Sequence, residues 1–346
     1  MQRVFTPHSL LPTPHIPPML PSLIRFLHLA LFGFSGMLPL LGAATVAPQL
    51  GWSRIWPLLL LALGFHAFAY ILNDVVDLPI DRSQPSRAAY PLVAGRISPL
   101  FAILIAGLMV PLTAVYIHLH THQPAAVGWL LLAFLCLAIY DVWGKKTAVP
   151  PLTDLIQGIG WAALLLAGAS TIGQPNPLTW LTAAVVVVYI LLVNGINASL
   201  RDVANDVAHM AAHGVVTTAV YLGTTPNPDG SLRIPTRLRL YALACQAVLF
   251  GLTLGLVWLW GGGWWGAGTA VLLNLLCLTL LWQMTLPHAP APQHRPIYMI
   301  HIILMLILLL ALSLPHLGNP LRLTLLLTFM LPLVLADPVL GRPKGT

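Results

Sequence analysis

Charged residues are scarce in this 346-residue chain, where Asp, Glu, Lys and Arg together make up only 7% of the sequence. Soluble domains carry about 25% charged residues, so the composition excludes an ordinary soluble fold. Hydrophobic residues make up 58% of the chain. An α-helix needs about 20 mostly apolar residues to cross a bilayer, and the alternating pattern of a membrane barrel is not seen. The composition therefore predicts an integral membrane protein built of α-helices.

Cysteine is also rare, with three in the chain. Cys136, Cys245 and Cys277 lie inside apolar runs and lack any Cys-x-x-Cys spacing. We therefore expect small buried hydrophobic residues rather than disulfides or metal ligands. The formal net charge is +7, but the basic residues are spread through connections, without the basic stripe and stacking aromatics of a nucleic-acid site. Nucleic acid is not an expected partner.

Apolar runs follow one another along most of the chain, after a Pro-rich N-terminal segment of residues 1–22. About ten of them are candidates for spanning helices by length and apolar character. The predicted spans are residues 23–47, 55–72, 99–118, 125–140, 152–169, 178–197, 238–260, 264–284, 297–314 and 321–335. Residues 23–314 are the predicted transmembrane domain, and residues 315–346 are a last span or a tail.

Basic residues are concentrated on one side of the predicted membrane topology. If the N-terminus is inside, the other side holds little beyond Arg54 and Arg322. Cytoplasmic loops carry an excess of Lys and Arg, so the basic side is predicted to be cytoplasmic. Almost all of the nine acidic residues fall at or near that same face. We expect the chemistry to be at the cytoplasmic face, and the location to be the plasma membrane of a prokaryote.

The densest charge in the chain follows the second apolar run, in residues 71–98, which read ILNDVVDLPIDRSQPSRAAYPLVAGRIS. In a helix, Asn73, Asp77 and Asp81 would share one face, with Asp74 about 60° away. Mg²⁺ takes oxygen ligands, and one or two carboxylates usually hold it together with substrate phosphates. The spacing therefore favours phosphate chemistry. The alternative is that these carboxylates are solvated or paired with nearby arginines.

A second acidic block follows the sixth apolar run, within residues 193–223. Asp202 and Asp206 are again at i and i+4, with Arg201 beside them. Two carboxylate-bearing helix ends on one face can clamp a diphosphate through bridging metal ions, although two solvated carboxylates in a loop are the alternative. The candidate phosphate-binding cations are Arg82, Arg87, Lys145, Lys146 and Arg201. Lys145 and Lys146 are equally explained by the excess of basic residues in cytoplasmic loops.

Together these blocks resemble the UbiA superfamily of intramembrane prenyltransferases. The first motif of that family, NDxxDxxxD, is matched by Asn73, Asp74, Asp77 and Asp81, and the second, DxxxD, by Asp202 and Asp206. The chain departs from the family by having Tyr90, Pro91 and Leu92 where RPL is usual, so that Arg87 or Arg96 would have to replace the arginine.

The resemblance implies an all-α bundle of nine helices, with a central cavity open to the cytoplasmic side and to lipid. It also implies Mg²⁺-dependent transfer of a prenyl group from an isoprenyl diphosphate to a lipophilic, often aromatic, acceptor. The catalytic residues would be Asp77, Asp81, Asp202 and Asp206; these four and Asn73 would be the metal ligands. Asp74 and the five cations named above would complete the diphosphate and metal shell.

The carbocation formed in such a reaction needs a dry pocket with aromatic faces. Phe65, Phe68, Tyr70, Trp161 and Tyr189 lie on spans that could supply them, although aromatic residues in spans more often only pack. Two other functions remain open. A membrane terpene cyclase would share the fold and use no acceptor. An ion-coupled transporter would instead place its ionisable residues near mid-span.

Overall fold

The structure, a computed structural model, describes residues 19–205, 207, 211–290 and 296–340. It is almost entirely helical. The helices are α1 (Met19–Phe26), α2 (Phe32–Val46), α3 (Trp52–Arg82), α4 (Pro99–Thr121), α5 (Pro124–Val142), α6 (Pro150–Ser170), α7 (Pro177–Leu192), α8 (Ser199–Asn205), α9 (Thr218–Tyr221), α10 (Thr236–Trp260), α11 (Gly263–Met284), α12 (Ile297–Ser313) and α13 (Asn319–Leu340). Three two-residue strands, β1 (Thr225–Pro226), β2 (Leu232–Arg233) and β3 (His288–Ala289), form a small antiparallel sheet in the order β1-β2-β3.

Nine helices within the described ranges are long and apolar enough to cross a membrane. A tenth apolar helix, Asn319–Leu331 within α13, is shorter. The predicted bundle of nine to ten spanning helices is therefore confirmed, and the chain is an integral, multi-pass membrane protein.

Proline marks the beginning of several spans. Pro99, Pro124 and Pro177 occupy the first positions of α4, α5 and α7. The missing N–H of proline costs nothing there, because the first amides of a helix have no intrahelical partner. At α7 a capping box adds to this, since Asn176 Oδ1 accepts from the Thr179 amide and the Thr179 hydroxyl accepts from the Asn176 amide.

Helix α2 lies at the centre of the packing, against α3, α6, α7 and α13. Glycine allows the close approach of α2 and α6. A Cβ on Gly42 would lie 1.9 Å from the Leu165 carbonyl oxygen, and one on Gly168 would lie 2.3 Å from the Pro39 carbonyl oxygen. Small residues bring helix backbones together in this way in membranes, where no hydrophobic effect drives the helices together.

Short connections between helices that pack on one another make successive spans antiparallel. The end of α2 and the beginning of α7 lie together at one end of the bundle, where the Thr45 and Thr179 hydroxyls are 2.7 Å apart. The ends of α3, α5 and α8 are therefore at the opposite end, which is the end that carries both acidic motifs.

Three helix boundaries differ from those predicted by hydropathy. The first predicted span, 23–47, is broken at His28, which has left-handed backbone angles (φ 48°, ψ 35°). The second continues beyond residue 72 as a 31-residue helix to Arg82. The sixth passes through a π-helical segment, Val193–Ala198, and continues as α8 to Asn205. Hydropathy locates the apolar part of a helix, and polar residues end that part without ending the hydrogen-bonding pattern.

Candidate functional site

The first acidic motif lies on the last turns of α3. Because these residues are helical, Asn73, Asp77 and Asp81 do share a face, as predicted. Asn73 and Asp77 are half-buried, whereas Asp74 and Asp81 are buried. Arg82, the last residue of α3, is exposed. The motif therefore presents oxygen donors from a regular helix rather than from a loop.

Arg87 returns to this motif from the turn that follows α3. Its Nε lies 3.8 Å from Asp81 Oδ1, and its guanidinium carbon lies 4.8 Å from the centre of the Tyr90 ring. By the resemblance described above, Tyr90 is expected to stand where arginine is usual. The structure thus places a guanidinium beside the motif despite that replacement, on Arg87, whereas Arg96 is exposed.

Asp74 has a partner that sequence reasoning missed. His28 Nε2 lies 2.9 Å from Asp74 Oδ2. The His28 ring stacks on Tyr70 at a centroid distance of 5.1 Å, with Tyr90 on a tilted contact at 6.3 Å. The one signal in the sequence was a histidine inside the first predicted apolar run.

The second acidic motif has a different local structure. Arg201 Nη2 lies 2.7 Å from Asp202 Oδ2 and Arg201 Nε lies 3.0 Å from Asp202 Oδ1, and both side chains are largely solvent-accessible. The π-helical segment Val193–Ala198 directly precedes α8, which carries Asp202. Such segments are uncommon and frequently lie at functional sites. The other predicted carboxylate, Asp206, lies outside the described residues.

Buried polar groups of neighbouring helices pack against the π-helical segment Val193–Ala198. The Thr218 hydroxyl donates to Asp154 Oδ2 at 2.5 Å, which joins α6 to α9. Gly195 faces this pair, since a Cβ there would lie 3.1 Å from the same carboxylate oxygen. Asn197 donates its amide to the Leu192 carbonyl oxygen at 3.0 Å. The segment that leads to Asp202 is therefore packed closely on buried polar groups.

The predicted lysines lie at the end of α5. Lys146 is exposed in the short turn Gly144–Lys146, and nothing is described of the Lys145 side chain. Asp141, one turn earlier, is 2% exposed. Helix α5 packs on both α3 and α6, so this turn is at the same end of the bundle as the acidic motifs.

Aromatic side chains fill the interior of the bundle near the acidic end. Phe34 lies between Trp161 and Tyr189, with centroid distances of 5.1 Å and 5.0 Å, and Phe65 lies 5.2 Å from Trp161. Three of the five aromatic residues predicted from the sequence therefore meet in one cluster, and Phe68 lies beside it, 4.8 Å from Phe134. A narrow apolar crevice extends from Phe34 and Tyr189 between α2, α7, α10 and α12; it is also lined by Val185, Val186, Leu249, Thr253, Met305, Leu308 and Leu309.

The side-chain oxygens of the two motifs are the type of ligand that Mg²⁺ prefers. Within the part of the chain that the structure describes, no three His, Cys, Asp or Glu side chains are grouped as a metal site. Mg²⁺ does not require such a cage, because one or two carboxylates and the phosphates of a substrate normally hold it. Carboxylate and amide oxygens on one face of α3 meet that requirement, and they would suit zinc poorly, since zinc favours nitrogen and sulfur ligands.

Solved structures with the same fold come from the UbiA group. A structure described as a digeranylgeranylglyceryl phosphate synthase in membranes is 17% identical with a TM-score of 0.64, covering 86% of this chain and 98% of its own. A UbiA homologue from Archaeoglobus fulgidus bound to GPP and Mg²⁺ is 15% identical with a TM-score of 0.61, covering 85% and 99%. A UbiA homologue from Aeropyrum pernix K1 in the apo state is 18% identical with a TM-score of 0.57, covering 88% and 97%.

These identities establish the likeness of the fold alone, and no curated protein matches the chain significantly. The family is established by sequence instead. The sequence model of the UbiA prenyltransferase family matches residues 36–300, which include both acidic motifs and most of the spans. The chain belongs to the UbiA prenyltransferase family.

Proposed function

We propose that the protein transfers a prenyl group from an allylic isoprenyl diphosphate to a lipophilic acceptor, in a reaction that depends on Mg²⁺. The observation that carries this proposal is the face of oxygen donors at the end of α3, with Arg87 paired to Asp81. This face lies at the end of a bundle that contains an aromatic cluster and an apolar crevice. A polar end for a diphosphate and an apolar interior for an isoprenoid chain are what such a substrate requires.

The oxygen ligands for Mg²⁺ would come from both motifs: Asn73, Asp77 and Asp81 on α3, and Asp202 and Asp206 in the second motif. Bound there, Mg²⁺ would neutralise charge on the diphosphate leaving group. Because α3 is helical across its motif, its ligands are positioned before the substrate arrives, which lowers the cost of organising them in the transition state.

Cationic side chains would bind the diphosphate oxygens directly. Arg87 is the best placed of these, since the Tyr90 ring and the Asp81 carboxylate already orient its guanidinium. A planar guanidinium can bind two phosphate oxygens at once. Further donors in this shell would be Arg82, Lys145, Lys146 and Arg201.

In the reaction, the bond between the allylic carbon and the diphosphate oxygen breaks, and the diphosphate leaves with the electron pair. The allylic cation is then attacked by the acceptor, which forms the new bond and loses a proton. The rings of Phe34, Trp161 and Tyr189 would stabilise the cation and exclude water, because aromatic faces attract positive charge in a dry environment. The isoprenoid chain would lie among the apolar side chains beyond them, and the narrow crevice there would have to widen to admit it.

The Archaeoglobus fulgidus homologues are described as bound to DMAPP or GPP with Mg²⁺, so these diphosphates are the first substrates to test. The acceptor would be aromatic or otherwise lipophilic. The excess of basic residues on the acidic side favours the cytoplasmic face for this site, and we propose the plasma membrane of a prokaryote as the location.

The experiment is to incubate detergent-solubilised protein with allylic diphosphates of increasing chain length and phenolic or lipid acceptors, and to measure diphosphate release and extractable products. We expect release that requires Mg²⁺ and is lost in Asp77→Ala. A prenylated acceptor establishes transfer, and a cyclised hydrocarbon formed without acceptor establishes the cyclase. If none of the allylic substrates releases diphosphate with any acceptor, the enzyme proposal is wrong.

A further inference from the structure

We infer that His28 is a positioning residue for the first acidic motif. It is held beside that motif by α1, the turn Leu29–Leu31 and α13, which we call the terminal clasp. This inference rests on the proposed function, because it assigns a role in organising the metal-binding face of α3. The structure supports it through the packing of the clasp, the backbone of His28 and the contact between His28 and Asp74.

The clasp lies outside residues 36–300, the part matched by the family. Its elements nevertheless pack on one another and on the part of the bundle that the family model matches. Helix α13 contacts α1 and the turn Leu29–Leu31, and it also packs on α2 and α3. Phe26 and Ala30 are 3% and 6% exposed. Residues 19–31 are therefore packed against the bundle.

A buried histidine anchors the clasp to α3. His66 Nε2 lies 3.0 Å from the Leu27 carbonyl oxygen and 3.1 Å from the His28 carbonyl oxygen, and its Nδ1 lies 2.8 Å from the Ser35 hydroxyl. Carbonyl oxygens only accept, so Nε2 carries the proton and donates, and Nδ1 accepts from Ser35. The backbone at residues 27 and 28 is thus held against α3 about two turns before the acidic motif begins.

His28 has an unfavourable backbone conformation, with φ 48° and ψ 35°. The left-handed region costs a residue with a Cβ about 1–2 kcal/mol. Glycine or asparagine would adopt it more readily. Side chains persist in such conformations where surrounding contacts impose them, and these positions cluster at functional sites. The imposed conformation directs the His28 imidazole toward α3, between Tyr70 and Tyr90.

The contact of His28 with Asp74 affects how the proposed metal ligands on α3 are oriented. Asp74 is buried, and an ionised carboxylate accepts hydrogen bonds only, so His28 Nε2 donates to it. At 100° per residue, Asp74 lies about 60° around the helix from Asp77 and about 20° from Asp81. The contact between His28 and Asp74 therefore fixes the rotation of the last turns of α3, and with it the directions in which Asp77 and Asp81 project.

The test compares His28→Gln with His28→Leu. The Gln amide can donate from nearly the position of Nε2, whereas Leu fills the space without a donor. Loss of a residue that orients metal ligands typically lowers metal affinity about 10- to 100-fold. We expect His28→Leu to raise by at least about tenfold both the Mg²⁺ concentration for half-maximal diphosphate release and the Kd for Mn²⁺ measured by EPR without substrate. His28→Gln should stay within about threefold of the wild type.

Two further variants complete the design. His28→Gly removes the side chain but suits the left-handed backbone, so it replaces His28→Leu if that variant does not fold, with the same expected result. His120→Ala, on a ring that stacks on Tyr116 in α4, removes a histidine from the opposite end of the bundle and should behave as the wild type.

The outcomes separate the two proposals. If the wild type neither binds Mn²⁺ nor releases diphosphate, the proposed function fails. If the wild type is active and His28→Leu or His28→Gly leaves both metal constants unchanged, only the role of His28 fails. A Gln variant as impaired as the Leu or Gly variant would also overturn it, because the donated hydrogen bond would then not be what matters.

Discussion

The two acidic helix ends use the same residue spacing but are stabilised in different ways. On α3, the partners of Asp74 and Asp81 come from other parts of the chain, since His28 is 46 residues away and Arg87 lies beyond the end of the helix. On α8, the described partner of Asp202 is its neighbour Arg201, and this pair is exposed. The first end is fixed by tertiary contacts, whereas the second is held by a sequence neighbour and a π-helical segment.

Because of this difference, we expect the two acidic ends to have different roles in binding metal and diphosphate. The carboxylates of Asp74 and Asp81 are themselves buried, and a buried charge is costly to separate from its partner, so the α3 motif provides a preformed half of the site. An exposed ion pair such as Arg201 and Asp202 contributes little to stability, so it can be replaced by contacts with a substrate at a small cost in free energy. We therefore expect the α8 end to adjust when metal and diphosphate bind.

The largest predicted effect comes from neutralising one carboxylate at either end. Asp77→Asn and Asp202→Asn should each lower kcat for diphosphate release by at least about 100-fold, because each removes charge that stabilises the leaving group. Steady-state kinetics at saturating Mg²⁺ measures this. Asp229→Asn, in an exposed loop, is the matched control and should retain activity. A fully active Asp202→Asn would show that the second end is not part of the site.

The next effect tests the packing of the second end. In Gly195→Ala, the added Cβ would lie 3.1 Å from Asp154 Oδ2, so this carboxylate or the π-helical segment has to move by a few tenths of an ångström. We expect a loss of about 1–3 kcal/mol in stability, typical of overpacking, together with reduced activity. Thermal unfolding in detergent is the measurement, and Gly128→Ala is the control, since a Cβ there meets nothing within 4 Å. Equal melting temperatures would contradict close packing at this segment.

A smaller effect concerns Arg87. Arg87→Leu removes a guanidinium that stacks on Tyr90 and pairs with Asp81. Hydrogen bonds to charged groups contribute about 1.5–3 kcal/mol, so the KM for the diphosphate should rise by roughly 10- to 100-fold. Arg96→Leu provides the control for loss of a nearby exposed charge. If Arg96→Leu has the larger effect, the assignment of the phosphate-binding arginine must be reversed.

The smallest effect is predicted for Arg201→Leu. Arg201 must leave an exposed ion pair with Asp202, which contributes about 0–1 kcal/mol, to reach the diphosphate, so its net contribution to binding is small and KM should rise by only a fewfold. The same kinetic assay measures it beside Arg87→Leu. A loss as large as that of Arg87→Leu would mean that the two ends are organised alike, against the comparison drawn above.

Much of this fold could be predicted from the sequence, for physical reasons. Membrane spans can be recognised because a helix in lipid must consist mostly of apolar residues. Carboxylates at every fourth residue can be assigned to one face of a helix. The aromatic cluster of Phe65, Trp161 and Tyr189 lay among the predicted residues because rings in neighbouring spans pack together. Phe34, which joins Trp161 to Tyr189, was missed, since nothing local separates it from other apolar residues.

The partners of the acidic residues could not be predicted in the same way. The contact between His28 and Asp74 depends on the break of the first span at a left-handed histidine, and hydropathy cannot show such a break. The π-helical segment before Asp202 likewise depends on Gly195 meeting Asp154 and on Asn197 bonding to the Leu192 carbonyl. Both are long-range or conformational features without a periodic signal in the sequence.

A double-mutant cycle tests most directly whether the two acidic ends act on one diphosphate. Diphosphate release is measured for the wild type, Asp77→Ala, Asp202→Ala and the double variant, at fixed Mg²⁺ and substrate. Groups that act as a unit are strongly non-additive, so we predict that the double variant is about as slow as the slower single variant. If the two losses multiply, the carboxylates act independently, and the account of one shared site is wrong.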